Sequence, residues 1–208
     1  MQDHESEQTG ELVNSHENEN KKLEKRREML AYLHDIVYVL PVLLIVMTLL
    51  FKIVFVSGPS MKQTLVDGDC LILMSNVLCK DYKPGDIVVA AKKSFKDGEP
   101  IIKRVIATEG QQVDIDFDEG IVYVDGMALD EPYANTPTNL YEGTEFPLTV
   151  SDNCYLVMGD NRNDSKDSRS LEIGLIDKRE ILGKAKFLML PGPDGYTGKR
   201  HFNRIGVL

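Results

Sequence analysis

Histidine is scarce where a hydrolytic site would need it. Of the four histidines in the 208-residue chain, only His201 follows the long apolar run of residues 36–56. A serine nucleophile usually relies on a histidine base, so this inventory nearly excludes a Ser-His-Asp triad in the domain that follows. An exposed or hydrogen-bonded histidine is the simpler interpretation of His201, and any hydrolytic chemistry needs a different base.

Cysteine and clustered positive charge are also sparse. Cys70, Cys79 and Cys154 are odd in number and lack C-x-x-C or metal-ligand spacing. They favour small buried thiols over a disulfide framework, although one pair stays open. The formal net charge is -9 and no basic cluster follows residue 57, which argues against a nucleic-acid partner. The length suits one globular domain with an appendage.

The clearest feature that is present is the apolar run IVYVLPVLLIVMTLLFKIVFV, interrupted only by Thr48 and Lys52. As a helix it would span about 30 Å, the thickness of a bilayer's hydrocarbon core, with Lys52 extending to the interface. We therefore predict a transmembrane helix over residues 34–56. A cleaved signal peptide is the competing interpretation, but the run is too long for a signal core and no small-x-small site follows it.

Charges on either side of this run predict its orientation. Five lysines and arginines lie between residues 21 and 27, whereas Lys62 is the only cation in the twenty residues after the run. The positive-inside bias places the N-terminus in the cytosol and the remaining domain outside the cell membrane. Residues 1–33 are polar and of mixed charge, which predicts a cytosolic tail that is disordered at first and helical near its end.

Residues 57–208 consist of short apolar runs separated by Gly, Pro, Asp and Asn. This pattern predicts a mainly β domain with antiparallel, Greek-key or barrel-like sheets. The Asp125-Gly126 pair between two such runs indicates a hairpin. Residues 132–151 indicate a surface excursion, which is either a binding element or a variable connection.

A lysine can replace histidine as a base when burial lowers its pKa by roughly 2 to 3 units. In the run PIIKRVIA, strand alternation puts Lys103 on the face of Ile101 and Val105, and Arg104 on the opposite face. At least one of these cations must lose solvent. The simpler interpretation of Lys103 is an edge residue, and that of Ser60, in the turn SGPSM, is a turn former.

The segment MGDNRNDSKDSRS, residues 158–170, directly follows the apolar run CYLVM. Its density of Asp, Asn, Arg and Ser is typical either of a hydrophilic turn or of a polar network.

Taken together, SGPSM, IIKRVI and MGDNRNDSKDSR, in this order behind one N-terminal span, resemble the type I signal peptidases of bacteria, the leader peptidases of peptidase family S26. The match covers residues 30–208 and includes EPY at 131–133, ILGKA at 181–185 and the terminal RIGVL. The single span and short domain are most similar to the Gram-positive form. The resemblance implies a mainly β signal-peptidase domain over residues 57–208.

The resemblance also implies the catalytic pair. Ser60 matches the nucleophile, and Lys103 matches the neutral amine that takes its proton. Met61 matches the residue packed beneath the nucleophile. Gly58 stands where some members carry a hydroxyl donor to the oxyanion hole, so the second donor stays open. Gln63 replaces the proline of S-M-x-P-T-L, which predicts a less rigid turn.

The remaining matches are supporting residues. Ser165 matches the hydroxyl that helps to orient the lysine, and Asp167 the carboxylate that supports the site. Arg104 with Asp160 matches a structural ion pair, and Arg169 a partner of Asp167.

By this resemblance the chain is a membrane-anchored serine endopeptidase that cleaves secretory preproteins, with membrane lipid as a second partner and no cofactor or metal. Its oligomeric state stays open. The alternative is a membrane-tethered β module that binds ligands without catalysis. Serine-lysine autoproteases of the repressor-cleaving group share the dyad, but they are soluble and bind DNA, whereas this chain has a span and no basic domain.

Overall fold

The computed structural model describes the chain from Asp3 to Leu208, with side chains described from Lys22 onward. The chain divides into two compact units, one up to Thr48 and one from Leu49 to Leu208. The first unit is helical, and helix α1 spans Asp3–Leu50. Its segment Lys22–Leu50 is long and apolar enough to cross a membrane, by length and composition.

The structure places two boundaries of the N-terminal region at other residues than the prediction did. The tail predicted to be disordered at first and helical near its end lies in α1, and its residues 3–33 hold a single glycine, no proline and seven glutamates. At the other end, the helix predicted over 34–56 stops at Leu50, and Phe51–Phe55 forms strand β1. The sequence FKIVF has the β-branched and aromatic residues that strands prefer, and the backbone of β2 pairs with one edge of this strand. Lys52 therefore lies in a strand.

The second unit is mainly β, as predicted. Its strands after β1 are β2 (Cys70–Ser75), β3 (Ile87–Ala90), β4 (Ile101–Thr108), β5 (Gln112–Asp116), β6 (Ile121–Val124), β7 (Met127–Ala128), β8 (Leu148–Thr149), β9 (Cys154–Met158), β10 (Ile176–Asp177), β11 (Ile181–Leu190) and β12 (Gly206–Val207).

These strands form two antiparallel sheets. The larger is a curled sheet with the order β1-β2-β11-β3-β4-β9-β10, with β12 also paired to β11, and the smaller has the order β7-β6-β5-β8. The larger sheet is an open half-barrel, because β1 and β10 are its edges. The predicted hairpin is confirmed: Asp125 and Gly126 both have positive φ and connect β6 to β7.

The core of the second unit consists of three apolar clusters. The cluster below the loop between β1 and β2 bears on function, since it contains Val56, Met61, Leu65, Leu71, Leu73, Ile87, Val89, Ala185 and Leu188. A second cluster fills the space around β9 and β10, and a third packs the smaller sheet on β4 and β9. The three cysteines, all within the described residues, are free thiols.

Candidate active site

Ser60 lies on the loop between β1 and β2, in a turn that hydrogen bonds within the loop stabilise. Gly58 has a φ of +88°, a conformation that favours glycine, and its N–H donates to Asp67 Oδ1 at 2.8 Å. The Lys62 N–H donates to the Pro59 carbonyl at 3.0 Å. Met61, the next residue after Ser60, is buried in the apolar cluster below the loop.

Lys103 comes from the middle of β4 and reaches Ser60. Its Nζ lies 2.8 Å from Ser60 Oγ and donates to the Ile102 carbonyl at 3.1 Å. The residue is 4% exposed, and it forms no ion pair among the described side chains. Two residues separated by 43 positions in sequence are thus in direct contact.

Burial lowers the pKa of Lys103 from 10.5 to about 8. Desolvation is the main cause, because a charged ammonium loses its hydration inside the protein. The nearby carboxylates Asp167, Glu142 and Asp160 oppose this effect, whereas Arg169 adds to it. At pH 7 about one-tenth of Lys103 is neutral, against less than about 0.1% of an ordinary lysine.

Arg104, on the opposite face of β4, is buried and paired. Its Nε and Nη2 donate to the two oxygens of Asp160 at 2.8 and 2.6 Å, and its Nη1 donates to the Gly85 carbonyl at 2.7 Å. The ring of Tyr133 lies 4.1 Å from the guanidinium carbon. Both cations of β4 are therefore desolvated, but only the arginine has a carboxylate partner.

Asp167 and Arg169 form a second buried pair, with two bonds of 2.8 Å between guanidinium and carboxylate. Asp167 Oδ2 also accepts from the Ser165 hydroxyl at 3.0 Å and from the Gly159 N–H at 2.9 Å. The structure brings Ser165 to Asp167. No hydrogen bond joins Ser165 to Lys103 among the described residues, so the orienting role of Ser165 stays a prediction.

Two residues that were not singled out from the sequence, Asn161 and Gly159, lie against the backbone of Ser60. The Asn161 N–H donates to the Ser60 carbonyl at 3.0 Å, and its Nδ2 donates to the Pro59 carbonyl at 3.2 Å. A Cβ on Gly159 would come within 2.5 Å of the Ser60 carbonyl oxygen and closer still to Ser165 Oγ. The only sequence signal for either residue was its place in the block at 158–170.

Gln63 stands in the turn after Ser60 where the family pattern has proline, and the lower rigidity predicted for this turn stays a prediction. The φ of Gln63 is +39°, which a proline ring cannot adopt, and its Nε2 donates to Asn135 Oδ1 at 2.7 Å. Asn135 belongs to the excursion of residues 132–151, and its N–H donates to the Asp160 carbonyl at 2.8 Å. The excursion packs on the polar block that supports the site.

Ser60 and Lys103 open into a cleft of about 620 Å³. One side is formed by the end of β1 and the residues after it, and the other by the start of β4 and by Lys166 and Glu172. Within the part of the chain that the structure describes, no group of three His, Cys, Asp or Glu side chains is placed to hold a metal ion.

Comparison with known proteins identifies the family. The model of the family "Signal peptidase, peptidase S26" matches residues 29–190. The chain belongs to this family of peptidases. It is 31% identical to "Signal peptidase I" of Bacillus licheniformis, over 83% of this chain and 95% of that protein, and 32% identical to "Signal peptidase I" of Bacillus amyloliquefaciens, over 83% and 94%. A crystal structure of a signal peptidase I from Enterococcus faecalis is 28% identical, covers 50% of this chain and 97% of its own, and gives a TM-score of 0.42.

Proposed function

We propose that the protein is a membrane-anchored serine endopeptidase that removes signal peptides from secretory preproteins, with Ser60 as nucleophile and Lys103 as general base. The observation that carries this proposal is the 2.8 Å contact between Lys103 Nζ and Ser60 Oγ. A buried amine without a carboxylate partner is kept partly neutral, and only a neutral amine can accept the hydroxyl proton. Membership of the signal peptidases supplies the reaction class.

In the first step, the proton of Ser60 Oγ moves to the neutral Nζ as the oxygen attacks the scissile carbonyl carbon. The resulting tetrahedral intermediate collapses when the Lys103 ammonium gives the proton to the leaving amine. The mature protein departs with a free N-terminus, and the signal peptide stays as an ester on Ser60. Water then gives a proton to neutral Lys103 as its oxygen attacks the ester carbon. When this second intermediate collapses, the Lys103 ammonium returns the proton to Ser60 Oγ, which restores both groups and releases the signal peptide with a free carboxyl group.

The negative oxygen of the intermediate needs a donor, and the Ser60 backbone N–H is suited to that role. Among the described hydrogen bonds, this N–H donates to no protein group. Gly58 offers no hydroxyl, and Asp67 already accepts from its N–H. The second donor stays open.

We expect the cleavage region of the preprotein to bind extended in the cleft, adding a strand to the exposed backbone of the cleft wall. Alternate side chains of an extended peptide point the same way, so two small residues at alternating positions should enter shallow pockets near Ser60. A series of precursors with Ala, Val or Phe at these positions tests this: equal cleavage of all three would contradict it.

The apolar segment of α1 and its flanking charges support a reaction on the outer side of the cell membrane. The helix segment Lys22–Leu50 would cross the cell membrane with its N-terminus in the cytosol, and Ser60 follows Leu50 by ten residues. Protease added to intact cells should then digest the domain of residues 57–208 and spare the tail.

Lipid is the second proposed partner. Phe51, Ile53 and Phe55 share one face of β1 and are 41%, 61% and 67% exposed. Three large apolar side chains on one exposed face are typical of a surface that contacts membrane or protein. We expect Phe55→Glu to slow cleavage of a membrane-inserted precursor several-fold and to leave cleavage of a short soluble peptide unchanged.

The deciding experiment uses the detergent-solubilised full chain and a purified secretory precursor. Ser60→Ala and Lys103→Ala should each reduce cleavage by at least about 10³-fold, because each removes a reacting group. Thermal unfolding of both variants should stay close to that of the parent. Ser57→Ala is a matched control in the same loop and should retain cleavage. Undiminished cleavage in either active-site variant would refute the roles assigned to Ser60 and Lys103, whereas a parent protein that cleaves no precursor would favour the non-catalytic β module.

A further inference from the structure

The excursion of residues 132–151 places one carboxylate that the resemblance did not assign, that of Glu142, beside the buried pair of Asp167 and Arg169. Its neighbours fix it along the polar block. Gly143 forms an isolated β-bridge with Ser170, and the Thr144 N–H donates to the Arg169 carbonyl at 3.0 Å. The backbone N–H of Asp167 also acts on the Glu142 carboxylate and partly offsets the rise in its pKa that burial causes. The backbone therefore positions this side chain next to Asp167.

Glu142 and Asp167 are bonded very differently. Both oxygens of Asp167 are occupied, by the guanidinium of Arg169, the hydroxyl of Ser165 and two backbone N–H groups. Glu142 Oε2 is buried and has no hydrogen-bond partner. Within the described part of the chain Glu142 also forms no ion pair. The charge of Asp167 is thus neutralised locally by Arg169, while that of Glu142 is not.

We propose that Glu142 is a positioning residue that acts on Lys103 through its charge and so fixes the pH range in which Lys103 serves as a base. The inference rests on the proposed role of Lys103. It assigns to the excursion a function in the chemistry, in addition to its packing on the polar block.

Mutual electrostatics support this coupling. The groups whose charges reach Lys103 are Asp167, Glu142, Arg169 and Asp160, and Glu142 is the second of those that raise its pKa. Glu142 in turn faces Asp167, Arg169 and Lys166, and burial raises its own pKa. A carboxylate favours the charged form of a nearby ammonium, so the negative charge of Glu142 favours the protonated form of Lys103.

The test is the pH profile of kcat/KM for precursor cleavage by the detergent-solubilised full chain. Glu142→Gln keeps the shape and removes the charge, so the ammonium of Lys103 loses a stabilising partner. The acid limb should move to lower pH by about 0.5 to 1 unit, and the variant should cleave about threefold or more faster than the parent on that limb. Structural damage would slow cleavage at every pH.

Two variants control for size and net charge. Glu145→Gln removes the same charge from the same loop, but Glu145 is exposed and bonds the Tyr141 hydroxyl at 3.0 Å. Its limb should stay within about 0.2 unit of the parent, since a solvated charge is screened. Glu142→Asp keeps the charge and should shift the limb less than Glu142→Gln does.

A second readout is independent of cleavage. In protein labelled with ¹³C-lysine, the Cε resonance of Lys103 is assigned by its loss in Lys103→Ala, and its titration gives the pKa directly. The pKa should fall in Glu142→Gln and not in Glu145→Gln. An unmoved resonance and superimposed pH profiles would overturn the proposal while leaving the peptidase function intact. If the pKa of Lys103 falls in Glu142→Gln but the parent protein cleaves no precursor, the coupling is supported and the peptidase function is refuted.

Discussion

Strand β4 carries two buried cations at adjacent positions, Lys103 and Arg104, and their hydrogen-bond partners on the two faces of the strand differ. On one face, Arg104 is bonded to both oxygens of Asp160, to a backbone carbonyl and to the face of Tyr133. On the other face, Lys103 has only the Ser60 hydroxyl and one carbonyl. A buried ion pair is a structural feature of the domain. A buried cation without a carboxylate partner lowers the free energy of unfolding, and the fold itself does not need such a residue. The difference supports the proposal that Lys103, and not Arg104, takes part in the reaction.

The largest effect should come from breaking the paired face. Asp160→Ala leaves the Arg104 guanidinium buried without its carboxylate, and we expect the free energy of unfolding to fall by about 3 to 5 kcal/mol. Chemical denaturation measures this loss. The control is Asp81→Ala, which removes a carboxylate that is 85% exposed from its ion pair with Lys178 and should cost no more than about 1 kcal/mol. Equal losses in the two variants would show that burial does not distinguish these pairs.

Gly159 tests how closely the scaffold is fitted to the nucleophile. A Cβ there would collide with the Ser60 carbonyl oxygen and with Ser165 Oγ, so Gly159→Ala must displace one of them. We expect kcat to fall by about 10²-fold with a smaller change in KM, because the displacement affects the reacting oxygen more than the binding cleft. Gly126→Ala is the control. A Cβ added there would meet no atom within 4 Å, so kcat should stay unchanged.

Removing the unpaired cation should stabilise the protein. The pKa of Lys103 falls on folding from 10.5 to about 8, so the folded state binds fewer protons than the unfolded state between these pH values. The cost of burying the ammonium is therefore complete below about pH 8 and vanishes above about pH 10.5. Lys103→Met should raise the free energy of unfolding by about 1 to 3 kcal/mol at pH 7. A gain that persisted at pH 11 would point to packing instead.

The smallest effect is expected at the hydrogen bond between Gln63 and Asn135. Gln63→Ala removes one partly solvated bond, so the free energy of unfolding should fall by about 0.5 to 1 kcal/mol and kcat by less than about threefold. Gln63→Pro makes the sharper comparison, since the ring is incompatible with a φ of +39° and the loss should exceed that of Gln63→Ala. A proline variant as active as the parent would show that this φ is not needed.

The strands could be predicted because their alternation and turn residues are local signals. The pattern PIIKRVIA already requires that a cation of β4 be buried, and Asp125-Gly126 already requires a hairpin. The end of α1 could not be predicted, because an apolar run such as FKIVF suits a helix as well as a strand until β2 is known to lie beside it.

The site could be predicted only in part from local pattern. Ser60 and Lys103 were selected through the resemblance, since neither residue alone distinguishes chemistry from structure. Their contact depends on long-range pairing of β4 with β9, which brings the block after β9 behind the nucleophile loop. Glu142 carries no sequence signal at all, because its approach to Asp167 depends on the path of a long excursion whose anchors are single hydrogen bonds.

The poorly solvated amine of Lys103 has a consequence for chemical modification. Near pH 8 about half of this residue is uncharged, whereas an ordinary lysine in water is more than about 99% protonated. A small electrophile such as cyanate reacts only with uncharged amines, and Lys103 borders an open cleft. Of the lysines in the domain, Lys103 should have the largest uncharged fraction near pH 8. With Lys103 as the proposed base, a reagent that fits the cleft should inhibit cleavage at concentrations that leave most surface amines unmodified.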